Sequence, residues 1–397
     1  MLNFTVVPPL GLYIHLPWCV RKCPYCDFNS HQHDGPLPET ATVDALLREL
    51  EDELPAIWGR RVETVFIGGG TPSLFSPEAL DRLLAGLRAL LGLGPQVEVT
   101  LEANPGATDT AHLAELRATG INRLSLGVQS FDDGALARLG RIHDGRAAHE
   151  AVAAARTAGF DNLNLDLMHG LPGQDAAAAE ADLATAIALA PEHLSWYQLT
   201  LEPGTAFARR PPPNLPDDET LADIQERGAI RLTDAGYRQY EVSAWARDTG
   251  ADPDQPPRLH CRHNLNYWLF GDYLGLGPGA HAKVTDPAAG AIRRHARRRQ
   301  PQAWLDLGGG AVTREQERTL GRQEAAFEFL LNALRLRGGF DSALFAAHTG
   351  QPLSAIEPPL RTAEADGLLD WQLHRVRATE LGWRHLDTLL QRFLPDD

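Results

Sequence analysis

Three of the four cysteines of this 397-residue chain lie within eight positions of one another. Cys19, Cys23 and Cys26 follow the spacing C-x3-C-x2-C in the stretch "WCVRKCPYCDFNSH". Three thiolates on one loop can hold three irons of a 4Fe-4S cubane and leave the fourth iron without a protein ligand. Since an open iron can bind an exchangeable small molecule, the spacing predicts an iron–sulfur centre with one ligand position free.

A zinc site is the alternative for the same three thiols. His15 or His31 could supply the fourth ligand of a tetrahedral site. We favour the cluster because x3 followed by x2 is an uncommon spacing for zinc. A predicted strand also leads directly into the triplet, as expected for a barrel loop.

Polar residues near the ends of later strands are further candidates for chemistry. Glu102, Gln129 and Asp166 each lie close to the C-terminal end of a predicted strand, where barrels of alternating strands and helices build their sites. In "NLNLDLMHG" the leucines share one face and the polar residues the other, so the inner face is polar. The segment "FIGGGTPS" ends the second strand with glycines that let the backbone approach a ligand closely. Capping of neighbouring turns is the structural alternative for each polar side chain.

Short apolar strands that alternate with helices must position these residues. Strands are predicted at 11–17, 64–70, 97–105, 123–130, 162–170 and 193–200, and helices at 43–54, 78–91, 110–119, 146–158 and 176–190. Short loops between them favour parallel strands joined by right-handed crossovers. The predicted fold class is therefore α/β, a partial (βα)6 barrel.

The pattern changes after about residue 205. Proline-rich segments at 209–218 and 251–258 indicate surface connections, and "YRQYEVSAW" and "DYLGLGPGAHAKV" are predicted to extend the sheet. From about 313 the chain is predicted to be helical, followed by a hairpin at 367–382 and an amphipathic helix at 383–393, as in a small winged-helix-like α+β domain. We expect three units: a barrel core at 1–205, a barrel extension at 206–312 and a C-terminal domain at 313–397.

Composition and charge limit the function classes. The formal net charge of -15 and the pI near 5.4 argue against a general affinity for nucleic acid. The sequence shows neither a secretory signal nor an apolar stretch long enough to span a membrane. The few, clustered cysteines suit a reducing compartment. We expect a cytoplasmic protein, with peripheral association with the membrane as the alternative.

Several segments together resemble the anaerobic coproporphyrinogen-III oxidase family of radical S-adenosylmethionine (SAM) proteins, and within it the HemW-type haem chaperone branch. They are "LYIHLPWCVRKCPYCDFNSH", "IGGGTPS", "LEANP", "LGVQSF", "LGRIHD", "NLDLMHGLPGQ", "LSWYQLTLEPGT" and "HCRHNLNYWLFGDYLGLGPGAH". They span nearly the whole chain, and their number, order and spacing make the match specific. The resemblance implies a radical-SAM barrel in which the amino and carboxylate groups of SAM chelate the open iron.

The resemblance also implies roles for individual residues. It gives the 4Fe-4S cluster to the three cysteines and SAM contacts to Tyr13, Tyr25, Gly69, Gly70, Thr71, Glu102, Gln129, Arg141 and Asp166. Tyr25 would lie near the adenine, Asp166 would accept hydrogen bonds from the ribose, and Arg141 would pair with the SAM carboxylate. A surface ion pair for Arg141 and a satisfied interior amide for Gln129 are the structural alternatives.

The segment "HNLNYW" at 263–268 is typical of the haem chaperone branch. An imidazole can ligate haem iron and aromatic rings can pack on a porphyrin, so His263 is the predicted axial ligand. Cys261 is a weaker candidate, and a histidine buried in the core is the structural alternative for His263. The basic run "IRRHARRRQ" at 292–300 is predicted to be a solvated loop, with binding to haem propionates, a membrane surface or an acceptor protein as alternatives.

The resemblance implies a haem chaperone that transfers haem to an acceptor protein, such as a membrane-bound respiratory enzyme, and a homodimer is compatible with it. The alternative is an oxygen-independent coproporphyrinogen-III oxidase that forms protoporphyrinogen IX, and a radical-SAM enzyme for another tetrapyrrole is a further one. The decarboxylating oxidases carry another cysteine at the position where this chain has Phe28. They also have an extension before the first strand, whereas the first predicted strand of this chain begins by about Gly11. Decarboxylation is therefore disfavoured, whereas SAM cleavage is compatible with either function.

Overall fold

The computed structural model describes residues 2–106, 109–247, 259–372 and 374–395. The strands, numbered along the chain, are β1 (Leu10–Leu16), β2 (Trp18–Cys19), β3 (His31–Gln32), β4 (Val62–Gly69), β5 (Leu93–Ala103), β6 (Arg123–Gln129), β7 (Leu163–His169), β8 (His193–Gln198), β9 (Tyr237–Gln239), β10 (Ala244–Arg247), β11 (Asp272–Leu276), β12 (His281–Asp286), β13 (Ala291–Arg297), β14 (Arg314–Thr319), β15 (Phe340–Asp341), β16 (Leu369–Gln372) and β17 (Arg375–Ala378).

The helices are numbered in the same way. They are α1 (Glu39–Glu53), α2 (Pro77–Leu90), α3 (Thr110–Ala118), α4 (Asp133–Arg138), α5 (Gly145–Thr157), α6 (Ala176–Ala188), α7 (Ala206–Arg209), α8 (Asp218–Asp234), α9 (Arg262–Trp268), α10 (Pro301–Leu307), α11 (Arg322–Ala333), α12 (Ser342–Thr349), α13 (Glu357–Ala365), α14 (Glu380–Arg384) and α15 (Leu386–Gln391). Short 3-10 turns occur at Leu54–Ile57, Pro72–Leu74, Ala311–Thr313 and Leu353–Ile356.

A partial (βα)6 barrel forms the first half of the chain. Its strands are parallel in the order β1-β4-β5-β6-β7-β8, with helices between successive strands. The predicted strands and helices are confirmed to within a few residues. Local chemistry sets the helix starts: the Asp109 side chain accepts a hydrogen bond from the backbone N–H of His112 at 2.8 Å, and Asp144 and Asp175 cap α5 and α6 in the same way.

The sheet continues beyond both edges of the barrel. On one side β11 pairs with β1 in parallel, and β12, β13 and β14 follow as antiparallel strands. On the other side β10 and β9 pair antiparallel beyond β8. The two predicted sheet extensions are thus confirmed. The predicted connection at 251–258 lies outside the described residues.

The basic run at 292–300 is not a solvated loop, and that prediction was wrong. Most of it forms β13, in which Ile292, His295 and Arg297 are buried. Arg297 can be buried because its guanidinium forms ion pairs with Glu49 and Glu53 of α1. Local charge counting missed these partners because they lie more than 240 positions away in sequence.

The C-terminal region is a small winged-helix-like α+β domain. A three-stranded sheet, in the order β15-β17-β16, packs with helices around Phe329, Phe340 and Phe345. Two predicted details were wrong. The region after 313 begins with β14, which belongs to the large sheet, and the single helix expected at 383–393 is two short helices separated at His385. None of the described helices is long and apolar enough to cross a membrane.

Candidate functional site

The loop that carries the three cysteines leaves β1 and is closed by a short parallel pairing of β2 with β3. Cys19, Cys23 and Cys26 are half-buried, and the N–H of Cys26 donates to the carbonyl of Cys23 at 3.2 Å. Thr71 Oγ1 donates to the Cys19 sulfur at 3.6 Å, and the Cys26 sulfur lies 3.4 Å from the Ser30 hydroxyl. Neighbouring side chains therefore hold the thiols at the end of β1.

A cavity of about 390 Å³, here called the cysteine cavity, brings the three thiols together with the ends of the barrel strands. It is lined by the predicted SAM residues Tyr25, Gly69, Gly70, Thr71, Glu102, Gln129, Arg141 and Asp166. Tyr13 and His263 do not line it. Residues that are more than 140 positions apart thus meet in one cavity at the C-terminal ends of parallel strands, as the sequence predicts.

The glycine segment fits tightly beneath the cysteine loop. The N–H of Gly70 donates to the carbonyl of Leu16 at 2.8 Å, and a β-carbon at Gly70 would lie 2.4 Å from the carbonyl oxygen of Trp18. Gly69 has a φ of +122°, a conformation that side chains other than glycine rarely adopt. Glycine is therefore required here for the loop to approach β4.

Glu102 contributes a partly buried carboxylate to the lining of the cysteine cavity. One oxygen accepts a hydrogen bond from the N–H of Gly69 at 2.9 Å. Burial raises the pKa of Glu102 to about 7, and the negative charge of Asp166 also raises it. Its hydrogen-bond partner is an amide instead of a cation, so the carboxylate is suited to receive a positively charged ligand group.

Arg141 provides the opposite charge beside the cysteines. Nη2 donates to Asn104 Oδ1 at 2.6 Å and to the carbonyl of Gly127 at 2.7 Å, and Nη1 lies 3.7 Å from the Cys23 sulfur. Within the described residues, its buried Nε has no hydrogen-bond partner. Asn104 in turn donates to Thr71 at 2.8 Å, which links Arg141 to Cys19. The sequence analysis missed Asn104, although it stands in the quoted segment "LEANP".

Asp166 and Gln129 face the same cavity from β7 and β6. Asp166 accepts hydrogen bonds from Ser125 at 3.0 Å and Asn164 at 2.8 Å. Gln129 has a φ of +68° and accepts a hydrogen bond from the Tyr197 hydroxyl at 2.8 Å. An αL conformation at a non-glycine residue is often found at functional sites. Ser125 and Tyr197 were missed, although Ser125 shares the strand face of Gln129 by alternation.

These residues fit a 4Fe-4S cluster with bound SAM. They offer three thiols, a partly buried carboxylate, and a guanidinium with an unused donor. Among the described residues, no group of three or more His, Cys, Asp or Glu is arranged for a single metal ion. Both histidines of the zinc alternative have other partners: His15 bonds Tyr13 and the Asn29 carbonyl through its two nitrogens, and His31 Nε2 bonds the Asn29 side chain at 2.9 Å. A cubane binds each thiolate to a different iron and needs no such compact group.

A second cavity of about 510 Å³, here called the aromatic cavity, adjoins the first. Its lining includes Tyr13, Phe66, His263, Tyr267, Trp268, Tyr273, Lys283 and Arg294. Phe28, Gly69, Glu102, Asn264 and Trp268 line both cavities. Tyr13 lines this cavity and not the cysteine cavity, and its hydroxyl is bonded to His15 at 3.0 Å. Its SAM contact, like those of the other residues, stays a prediction.

His263 lies on α9 and is almost fully buried, with 1% of its surface exposed. Its Nδ1 is 2.8 Å from the Thr64 hydroxyl and its Nε2 is 3.0 Å from the Tyr267 hydroxyl. Burial lowers its pKa to about 3, so the imidazole is neutral. Neutral imidazole is the ligating form, but Tyr267 must release Nε2 before iron can bind there. Cys261 is buried with a pKa raised to about 12 and is therefore a thiol.

Comparisons with known proteins agree with this geometry. Residues 13–186 match the family model of the radical SAM superfamily, and residues 320–385 match that of the HemN C-terminal domain. The chain is 47% identical over 390 residues to "Heme chaperone HemW" of Escherichia coli (strain K12), covering 98% of this chain and 99% of the relative. The chain belongs to the HemW family of radical-SAM proteins.

Two further relatives and one solved structure extend the comparison. "Heme chaperone HemW" of Haemophilus influenzae is 43% identical over 98% of this chain and 99% of its own length. The mitochondrial "Radical S-adenosyl methionine domain-containing protein 1" of Mus musculus is 36% identical over 97% of this chain and 87% of its own length. The structure of coproporphyrinogen III oxidase (HemN) from Escherichia coli superposes with a TM-score of 0.79 at 23% identity, covering 98% of this chain and 90% of that chain. The oxidase therefore shares the fold, including the C-terminal domain.

Proposed function

We propose that this member of the HemW family is a haem chaperone, which binds haem and transfers it to an acceptor protein. The observation that carries the proposal is the aromatic cavity, which contains His263, Tyr267 and Trp268 of the "HNLNYW" segment. Its volume of about 510 Å³ lies in the range of small-molecule sites, about 300–1,000 Å³. The full-length relatives named heme chaperones support the same function.

In this proposal His263 is the axial ligand of haem iron. The bound state requires the Tyr267 hydroxyl to turn away from Nε2, while Thr64 keeps the ring oriented through Nδ1. Phe66 and Tyr267 lie beside the imidazole, with ring centroids 5.2 and 4.8 Å away, and supply apolar surface for a porphyrin.

We further propose that the cysteine cavity holds a 4Fe-4S cluster and SAM. When bound, a reduced cluster supplies the electron that can cleave a sulfonium. Glu102 would bind the SAM amino group, Arg141 its carboxylate, and Asp166 the ribose. Because Glu102 and Trp268 line both cavities, SAM and haem would be neighbours, and the occupancy of one site can influence the other.

The remaining parts of the proposal concern location and partners. A cytoplasmic protein that meets its acceptor at the membrane surface fits delivery to a membrane-bound respiratory enzyme. A homodimer is compatible with this function. We retain the division into a barrel core at 1–205, an extension at 206–312 that carries the haem residues, and a C-terminal domain at 313–397 as a proposal.

Haem titration of the anaerobically reconstituted protein tests the function. We expect saturable, stoichiometric binding with a Soret band in the wild type. In His263→Ala we expect loss of that band, with the iron content of the 4Fe-4S cluster unchanged. A triple alanine variant of Cys19, Cys23 and Cys26 should still bind haem, since none of the three lines the aromatic cavity. Unchanged haem affinity and spectrum in His263→Ala would contradict the assignment of the ligand.

Tyr267→Phe provides a sharper test of the same ligand. The substitution keeps the ring and removes the hydroxyl that occupies Nε2 of His263. Because a hydrogen bond of about 1 kcal/mol no longer has to be broken, we expect haem to bind about fivefold more tightly. Weaker binding with an unchanged melting temperature would argue against ligation through Nε2.

An anaerobic assay with reductant, SAM and coproporphyrinogen should give no decarboxylated product.

A further inference from the structure

Arg294 is a cation in the wall of the aromatic cavity with one donor unused. It lies on β13 with 20% of its side chain exposed, and Nη1 donates to the Tyr273 hydroxyl at 2.7 Å. Nη2 forms an ion pair with Glu328 of α11. Its Nε is buried without a hydrogen-bond partner in the described parts of the chain. An unpaired buried donor is costly, so a ligand acceptor at this point would be favoured.

Glu328 has a second cation that can replace Arg294. Arg318 Nη2 lies 3.1 Å from the other oxygen of Glu328 and faces solvent, with 49% of its side chain exposed. Arg294 can therefore exchange Glu328 for another carboxylate without leaving Glu328 as an unpaired charge. The Arg294–Glu328 pair is thus an exchangeable contact between β13 and α11.

Apart from Arg294, the described lining of the aromatic cavity contains one lysine, Lys283, and no further arginine. Lys283 is not available for a ligand. Lys283 stands directly opposite Arg294 on β12 and is 1% exposed. Its ammonium group already donates to the carbonyls of Phe270 and Gly271, at 3.0 and 3.3 Å, and to Asp272 at 2.8 Å. All three of its donors are used. Among the described lining residues, Arg294 is therefore the cation that can pair with an anionic ligand group.

We infer that Arg294 binds a propionate carboxylate of haem, exchanging Glu328 for the ligand. The inference rests on the proposed haem function and adds the residue that recognises the acidic edge of the cargo. A carboxylate can accept two parallel hydrogen bonds, one from Nε and one from Nη2, in a bidentate pair. Trp268 Nε1, another buried donor in this wall without a partner in the described residues, is a second candidate to contact the cargo.

Haem and haem dimethyl ester distinguish this role from simple packing, because the ester keeps the macrocycle and lacks the propionate charges. In Arg294→Gln we expect haem affinity to fall about 10- to 100-fold, while ester affinity stays within twofold of the wild type. Arg293→Gln is the matched control, since Arg293 is the adjacent residue of β13, half-exposed and paired with Asp286 outside the cavity. It should bind both ligands as the wild type does.

Two further variants complete the test. Glu328→Gln removes the competing carboxylate and should tighten haem binding with no effect on the ester. Arg294→Lys keeps the charge and should recover part of the lost affinity. Equal losses for haem and ester in Arg294→Gln, or no loss for haem, would overturn the role of Arg294. Absence of saturable haem binding by the wild type would overturn the proposed function and this inference with it.

Discussion

At the residue scale, Glu102 shows how burial prepares a side chain for a ligand. Its pKa of about 7 means that the carboxyl group is largely protonated below neutral pH and ionised above it. The SAM amino group donates its hydrogen bond more strongly to the ionised form, because a carboxylate is the better acceptor. We therefore expect the SAM affinity of the cluster-loaded protein to fall as pH drops below about 7, by up to tenfold per pH unit.

Glu102→Gln should remove both the charge and this pH dependence. Loss of a charge-assisted hydrogen bond predicts SAM binding about 10- to 100-fold weaker at pH 8, measured by anaerobic equilibrium dialysis. Glu115→Gln, an exposed glutamate of α3, is the control and should leave the affinity unchanged. A pH profile that survives in Glu102→Gln would assign the titration to another group.

Sequence reasoning found residues whose role follows from their own position in a strand. Glu102 and Asp166 could be placed because parallel strands end at one edge of a barrel. Asn104 could not, since its role depends on contacts with Thr71 and Arg141, 33 and 37 positions away. The role of Arg294 could not be predicted either, because the sequence shows it only as one of several arginines in a basic run. Its partners lie on β12 and α11.

At the element scale, alternation and capping were enough to predict the barrel. Each predicted strand has apolar residues at regular intervals, and Asp109, Asp144 and Asp175 cap the starts of α3, α5 and α6. The errors occur where tertiary contacts override local pattern. The segment 314–319 is almost entirely polar, yet it pairs with β13 as the edge strand of the large sheet. Helix propensity at 383–393 likewise did not reveal the break at His385.

The contact between the cysteine loop and β4 yields a prediction for an element junction. In Gly70→Ala the new β-carbon would lie 2.4 Å from the carbonyl oxygen of Trp18, which is backbone and can move only with the loop. We expect a destabilisation of about 1–3 kcal/mol and a cluster content well below that of the wild type. Iron analysis and visible absorption after anaerobic reconstitution measure the second effect.

Gly92→Ala is the matched control for this substitution. A β-carbon at Gly92 would meet no atom within 4 Å, and its φ is not in the positive range. The same added methyl group should therefore leave the iron content unchanged. Equal cluster content in Gly70→Ala and Gly92→Ala would show that the cysteine loop tolerates displacement from β4.

At the scale of the whole molecule, the aromatic cavity is assembled from parts that no local pattern connects. Its lining runs from Tyr13 on β1 to Asn332 on α11 and includes three strands of the sheet extension. The sequence identified the "HNLNYW" segment but not the cavity around it, because the cavity exists only once β11 pairs with β1. Packing of the extension against the barrel is therefore a condition for the aromatic cavity, the proposed haem site.

Asp272 is a buried polar link in that packing, and it gives a prediction for the stability of the molecule. Its fully buried carboxylate accepts from Lys283 Nζ and from Arg60 Nη1, both at 2.8 Å. Burial alone raises its pKa, but Lys283 and Arg60 outweigh burial and lower the pKa below the ordinary value. Asp272 therefore stabilises the fold above the pKa of the unfolded chain, and this contribution is lost as pH falls through the folded value.

Asp272→Asn should leave the Lys283 ammonium buried without its counter-charge. Removing one partner of a buried ion pair predicts a loss of about 3–5 kcal/mol in the free energy of unfolding at neutral pH, measured from denaturant midpoints by circular dichroism. The difference from the wild type should shrink as pH falls below about 4, the ordinary pKa of an aspartate, and through the lower folded pKa of Asp272. Asp370→Asn breaks the half-exposed pair with Arg377 and should cost less than about 1 kcal/mol. If the two variants lost equal stability, the Asp272 pairs would contribute no more than a surface ion pair does.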